Sequence, residues 1–274
     1  MLAVYPDTGR LSFTDSAGAT SMRTLPPFSL SRRSLVLGVG AGLLAGPALA
    51  AAAHGAKPSA APAAPNPDDA ALSPEAALER LMAGNARYVA AKATHPHDDA
   101  DRRRLVAAGQ HPFATILACA DSRVAPELIF DQGLGDLFVV RVAGNVVDDA
   151  VLASIEYSVL HLGSNLVMAL GHERCGAVKA TIEALSGHPS DEDKDTRIGA
   201  LAALIKPAVE AVPASVPDKL DAAVALNAAN AAAEIFAGSR PLRTRVLAGS
   251  LKIVAARYDL DDGTVTPAKG VQIG

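Results

Sequence analysis

The sequence predicts an α/β domain built on a mostly parallel β-sheet flanked by helices. Three apolar runs of strand length, Phe113–Ala118, Leu137–Val142 and Leu166–Leu170, lack the alternation of half-exposed strands. They read as strands buried on both faces, as in a parallel sheet. Stretches with helical spacing separate and follow them, which is the alternation of an α/β domain. The 274 residues are half hydrophobic, with 4% aromatics and no Trp, so small aliphatics must build the core. This composition excludes a disordered charged chain, a collagen-like fibre and a disulfide-knotted mini-protein. A net charge of −4 without a basic stripe argues against nucleic acid as a partner.

The elements follow in order. Arg32 and Arg33 stand directly before Ser34–Ala53, a run with no charged residue that is diluted by Gly and Ala. Its length approaches the roughly 20 residues of a membrane span, but its apolar character is weaker. Ala48-Leu49-Ala50 supplies a small-x-small cleavage pattern. Together these features resemble a twin-arginine export signal over 1–50, with Met22 as an alternative start that leaves a shorter leader. The competing expectation is an uncleaved N-terminal anchor. No cysteine lies nearby to carry a lipid, so no stable membrane anchoring is expected after cleavage. Cleavage removes four basic and two acidic residues, which leaves a mildly acidic chain of net charge −6. Residues 51–72, with Pro58, Pro62, Pro65 and Pro67, read as a disordered Ala/Pro-rich linker. The expected destination is the periplasm or the exterior.

The domain spans 73–274. Ser73-Pro74-Glu75 starts a helix: an N-cap Ser, Pro at the first position and an acid at the positive end of the dipole. Leu78, Leu81 and Met82 give it one apolar stripe. A second helix is expected over 98–108, stopping at Gly109. A third, Val151–Leu162, is capped by Asp148 or Asp149. Helices over 200–212 and 220–237 follow, then a strand Lys252–Tyr258 and the turn Asp261-Asp262-Gly263-Thr264 leading into Val265.

Chemistry-bearing residues gather after two of the strands. Cys119-Ala120-Asp121-Ser122-Arg123 follows the first, and Gly171-His172-Glu173-Arg174-Cys175-Gly176 follows the third. Ligands of open parallel sheets bind at the carboxyl ends of strands, so the two segments are expected to converge. Two thiolates and one imidazole (Cys119, His172, Cys175) form a tetrahedral zinc set with its fourth position open. Cys175 also precedes a helix start near Ala177, where the dipole favours a thiolate. The competing reading is a disulfide between the only two cysteines of an exported chain. It leaves the three-residue spacing of His172 and Cys175, and the Asp121/Arg123 pair, without a reason. Export as a folded protein would let zinc load before the thiols meet oxidant.

The pattern Cys119-x-Asp121-x-Arg123, followed about fifty residues later by His172-x-x-Cys175, resembles the β-class carbonic anhydrases. The likeness runs through most of 78–265. The resemblance implies a zinc lyase that interconverts carbon dioxide and bicarbonate. It implies that Asp121 orients the attacking hydroxide and that Arg123 keeps Asp121 ionised and off the metal. If that pair opens, Asp121 becomes the fourth ligand of a closed state. Gln110 would donate to a substrate oxygen, and the Gly176 N–H would be a further donor. Phe138 and Tyr157 would form an apolar wall across a subunit contact, which makes the chain a homodimer or higher homo-oligomer. Two departures stand out: Arg141-Val142-Ala143-Gly144-Asn145 replaces the usual Arg-Asn-x-Ala-Asn, and without Trp the allosteric bicarbonate site of some members is incomplete. His95, His97, His111, His161 and His188 offer no assignable proton shuttle. Two alternatives remain: hydrolysis of carbon disulfide or carbonyl sulfide on the same scaffold, and zinc binding without turnover. The second gives no reason for Asp121, Arg123 and Gln110.

Overall fold

The computed structural model describes residues 13–14, 20–21, 72–188 and 196–273. The export signal and most of the linker expected from the sequence lie outside the described residues. Two-residue strands β1 (Phe13–Thr14) and β2 (Thr20–Ser21) pair antiparallel in a unit of their own, Met1–Ala56. Among the described residues no helix is long and apolar enough to cross a membrane.

In the second unit, α1 (Pro74–Val89) begins as its sequence dictates, with Ser73 Oγ accepting from the Ala76 N–H at 3.2 Å. It is followed by α2 (Ala100–Val106), capped by Asp99. Then come β3 (Ala114–Ala118), the single turn α3 (Pro126–Ile129), β4 (Leu137–Arg141) and α4 (Asp149–Tyr157). Asp148 is the cap of α4, its carboxylate accepting from Val151 N–H at 2.8 Å. Ser158–Leu162 continues α4 as a wider π-turn that stops at left-handed Gly163, so the helix expected to Leu162 is α-helical only to Tyr157. Next are β5 (Leu166–His172), α5 (Gly176–Leu185), α6 (Ile198–Ala211), α7 (Lys219–Gly238) and α8 (Arg240–Leu247). Strands β6 (Lys252–Tyr258) and β7 (Val265–Ile273) end the chain. The sequence reading ended its last helix at 237 and did not foresee α8. Ser239 makes the break, ending one helix and capping the next through Leu242 N–H at 3.3 Å.

The sheet order is β4-β3-β5-β6-β7, parallel except for the last strand. Strands β3 and β5 are buried at every position, as their unbroken apolar runs required, whereas β4, expected to be covered on both faces as well, is half-buried because it lies at the edge of the sheet. Alternate residues feed two cores. Ile116, Met168 and Val254 pack under α1 and α3, whereas Leu117, Val167, Ala169 and Ile253 pack against α4, α7 and α8. A third cluster, with Cys119, Cys175, Ile205 and Val224, caps the carboxyl end of the sheet.

The loops at the amino end are clamped by charge. Asp131, 2% exposed, accepts from the Thr94 N–H at 3.0 Å, the His95 N–H at 2.9 Å and Arg87 Nε at 2.6 Å. Burial alone would raise its carboxyl; the Thr94 and His95 amides and Arg87 outweigh that and hold it well below the usual range. Removing this acceptor strands buried donors, so Asp131→Ala is expected to destabilise the domain by about 3 kcal/mol in urea denaturation. A depressed native value means the stabilisation is present above about pH 4 and is lost as pH falls further. Asp131→Asn should therefore flatten the acid limb of the stability curve.

Candidate metal centre and active site

The chain leaves β3 toward β4 on one side and leaves β5 toward β6 on the other. These two neighbours therefore flank the topological switch point, where an open sheet forms a crevice. Register pairs Ala118 with Leu170, which sets Cys119, the next residue, beside the end of β5 at His172. Cys175 is the residue before α5. The ligand atoms of Cys119, His172 and Cys175 lie within 4.8 Å of one another, and all three residues are buried. Both cysteines are free thiols, so the disulfide reading has no support here.

Each donor is prepared by its surroundings. His172 Nδ1 lies 2.9 Å from the Glu173 carbonyl, which can only accept, so Nδ1 carries the proton and Nε2 keeps a lone pair. That Nε2 is buried and has no hydrogen-bond partner. The Cys175 thiol, His172 and the Gly144 N–H draw the Cys119 thiol down to about 4. The bond to Cys119, together with burial, pushes Cys175 up, although the Ala177 and Val178 amides of α5 oppose this. Two sulfurs thus face each other beside an imidazole lone pair. A buried, orphaned donor set of this kind fits a tetrahedral divalent cation such as zinc.

Asp121 lies at the rim. Arg123 grips it through Nε to Oδ1 at 2.9 Å and Nη2 to Oδ2 at 2.7 Å, and its own N–H adds a third bond at 2.9 Å. This bidentate pair holds the Asp121 carboxyl well below the usual carboxylate range. Asp121 Oδ2 stands 3.8 Å from His172 Nε2, so the carboxylate faces the donor set while engaged by arginine. Arg141, from the end of β4, donates to the Cys119 carbonyl at 3.0 Å and the Asp121 carbonyl at 2.6 Å. Sequence reasoning gave Arg141 no role. A charged residue inside the apolar run 137–142 was the available signal.

The Gly144 amide was also missed. It donates to Cys119 Sγ at 3.2 Å from a left-handed turn (φ 70°, ψ 14°). A Cβ there would meet Ile205 Cδ1 at 2.7 Å, so glycine is required. Asn145 follows it in a left-handed conformation, and its buried Nδ2 has no partner. The Gly-Asn pair after a strand was the sequence signal for this turn.

The remaining expected residues divide. Gly176 opens α5 beside Cys175, and the space where its Cβ would stand is open. Gln110, Phe138 and Tyr157 are not brought to this crevice within the chain. Gln110 precedes β3, at the end opposite Cys119. Phe138 pairs with Thr115, roughly 13 Å of strand away from the level of Cys119. Tyr157 stacks near Phe138 with ring centroids 6.4 Å apart and is half exposed.

Comparison with known proteins agrees with this geometry. The carbonic anhydrase family model matches residues 114–265. Carbonic anhydrase 2 of Mycobacterium tuberculosis is 43% identical over 199 residues, covering 70% of this chain and 91% of that protein. Among solved structures, the Coccomyxa β-carbonic anhydrase aligns with TM-score 0.53 and 25% identity over 73% of this chain and 89% of its own. A tetrameric β-carbonic anhydrase from Sordaria macrospora shares the fold, with TM-score 0.54 and 21% identity over 72% of this chain and 98% of its own. With a family match spanning both Cys119 and the His172/Cys175 pair, and a β-class fold beneath them, this chain belongs to the carbonic anhydrase family.

Proposed function

We infer that the chain is a zinc-dependent carbonic anhydrase that interconverts carbon dioxide and bicarbonate. The observation that carries this reading is the buried Cys119–His172–Cys175 set with an arginine-held carboxylate, Asp121, 3.8 Å from His172 Nε2. Zinc binding alone needs only the first three residues.

Cys119, His172 and Cys175 would hold the ion. Bound there, it supplies Lewis acidity that lets water furnish hydroxide near neutral pH. The chain's own residues do the rest. Asp121 accepts the hydrogen of the attacking oxygen and thereby turns a lone pair toward the carbon of carbon dioxide. That lone pair forms the new C–O bond, one C=O pair moves onto oxygen, and the released proton passes through the rim to solvent. Arg123 keeps Asp121 ionised and holds its carboxylate in place. The Gly176 N–H, at the positive end of α5, suits an oxygen gaining negative charge.

We assign Gln110, Phe138 and Tyr157 to the site of a second copy. They share the opposite end of the sheet, by the open edge of β4, with Tyr157 exposed there. A homo-oligomer would bring them to a neighbour's crevice, and the Sordaria relatives are described as tetrameric. Export of the folded, metallated protein to the periplasm is proposed from Arg32-Arg33 and the uncharged run after them.

Stopped-flow carbon dioxide hydration, measured with and without a chelator, tests the reading directly. Chelation should abolish turnover, and zinc should restore it. Cys119→Ser and His172→Ala are each expected to purify without stoichiometric zinc and with a lowered melting temperature, because the ion ties two strand ends together. Asp121→Asn keeps all three donors, so metal analysis should find zinc while hydration falls by about 10²–10⁴-fold. Near-native turnover in that variant would remove Asp121 from the mechanism. Replacing Arg32 and Arg33 by Lys should leave an active precursor in the cytoplasm, as cell fractionation would reveal.

A further inference from the structure

Gly144 is gripped from two sides. Its N–H donates to Cys119 Sγ at 3.2 Å, and its carbonyl accepts from Asn227 Nδ2 at 2.7 Å. Asn227 belongs to α7 and is 4% exposed, on a face otherwise made of Ala223, Val224, Ala228, Ala231 and Ala232. An amide in such a stripe is costly to bury unless it is bonded, and packing alone would favour an apolar residue. The helix comes this close because β5 offers Gly171 beneath it: a Cβ there would stand 3.2 Å from Val224 Cγ1 and 3.3 Å from Ala228 Cβ. The close approach of α7 therefore delivers one polar group, Asn227, to one backbone carbonyl.

We propose that Asn227 is a positioning residue of the metal centre: by holding the Gly144 carbonyl, it fixes the left-handed turn that aims the Gly144 amide at Cys119 Sγ. The two bonds act on opposite ends of one glycine, the residue with the greatest backbone freedom. Ile205 and Ala177 close off the space beside it, at 2.7 and 3.3 Å from a would-be Cβ. An N–H directed at a thiolate withdraws charge from sulfur. Cys119 then donates less charge to the ion, which matters in a site where two thiolates already offset the cation. Loss of the Asn227 bond frees Gly144 to rotate and leaves Cys119 a stronger but less well-directed donor. The inference rests on Cys119 being a metal ligand, and it adds a buried helix residue, outside the strand-end motifs, that tunes that ligand.

The test uses the full chain loaded with Co²⁺ in place of zinc, because thiolate-to-cobalt absorption reports the state of the sulfur ligands. Asn227→Leu keeps the heavy-atom branching and removes the donor; Asn227→Ala serves if the larger leucine does not fit. Each is expected to shift the charge-transfer band from its native position. Each should also weaken zinc binding in chelator competition by roughly tenfold to hundredfold, as for other groups that orient metal ligands. A folded variant with a native band and native zinc affinity overturns the proposal, even if its melting temperature falls, since a purely structural role predicts that pattern. Native protein that shows no thiolate–cobalt band overturns the metal reading itself. That outcome is distinguishable because it appears before any substitution.

Discussion

The parallel adjacency of β3 and β5, with the chain departing from them in opposite directions, is the constraint on which the site depends. Because β4 and β6 lie on the outer sides, the chain leaves the two carboxyl ends in opposite directions and a crevice opens between them. The register that sets Ala118 against Leu170 then places one thiol and one imidazole side by side, and the tight turn after β5 adds the second thiol. Two sulfurs and an imidazole with an unpaired Nε2 are an expensive group to bury without a cation. The fold concentrates electron pairs where only a metal or protons can satisfy them.

Small residues let the surrounding helices close over that point. Gly171 admits α7 to the surface of β5, and Gly144 admits α6 through Ile205. The Ala-rich face of α7 is the matching surface, and the third core cluster forms where α6 and α7 meet the cysteines. This packing leaves little freedom in the turn that faces Cys119. The same economy explains why a chain with so few aromatics still builds a buried site: the helices approach the sheet mainly through Ala, Val and Gly rather than through large side chains.

Around the crevice, charge is handled at the rim. Arg123 and Arg141 reach the Asp121 loop from two directions, one holding the carboxylate and the other its backbone carbonyl. The nearby acids Glu173, Asp259 and Asp261 also cluster, but Arg174 pairs with Asp261 at 2.6 Å and Arg257 pairs with Asp259 at 3.1 Å. Those acids are therefore neutralised by arginine. The contrast separates the two clusters chemically: one is buried and built of sulfur and nitrogen donors, whereas the other is built of half-buried and exposed carboxylates that already have guanidinium partners.

The sequence alone marked the parallel strands, several helix starts and the candidate metal set. Short unbroken apolar runs marked the parallel strands, Ser73-Pro74 and Asp148 cap helices by local hydrogen bonds, and a His three residues before a Cys is a short-range pattern. Local chemistry suffices for all of these. Tertiary structure decided what depends on distance across the fold. It divided α7 from α8 at Ser239 and turned the end of α4 into a π-turn. It also set Gln110, Phe138 and Tyr157 at the far end of the sheet from Cys119. It brought Arg141 to two backbone carbonyls and Asn227, 83 residues away, to Gly144. No periodicity or spacing encodes such meetings, because they arise only when the register of parallel strands and the close packing of a helix place remote residues within hydrogen-bond reach.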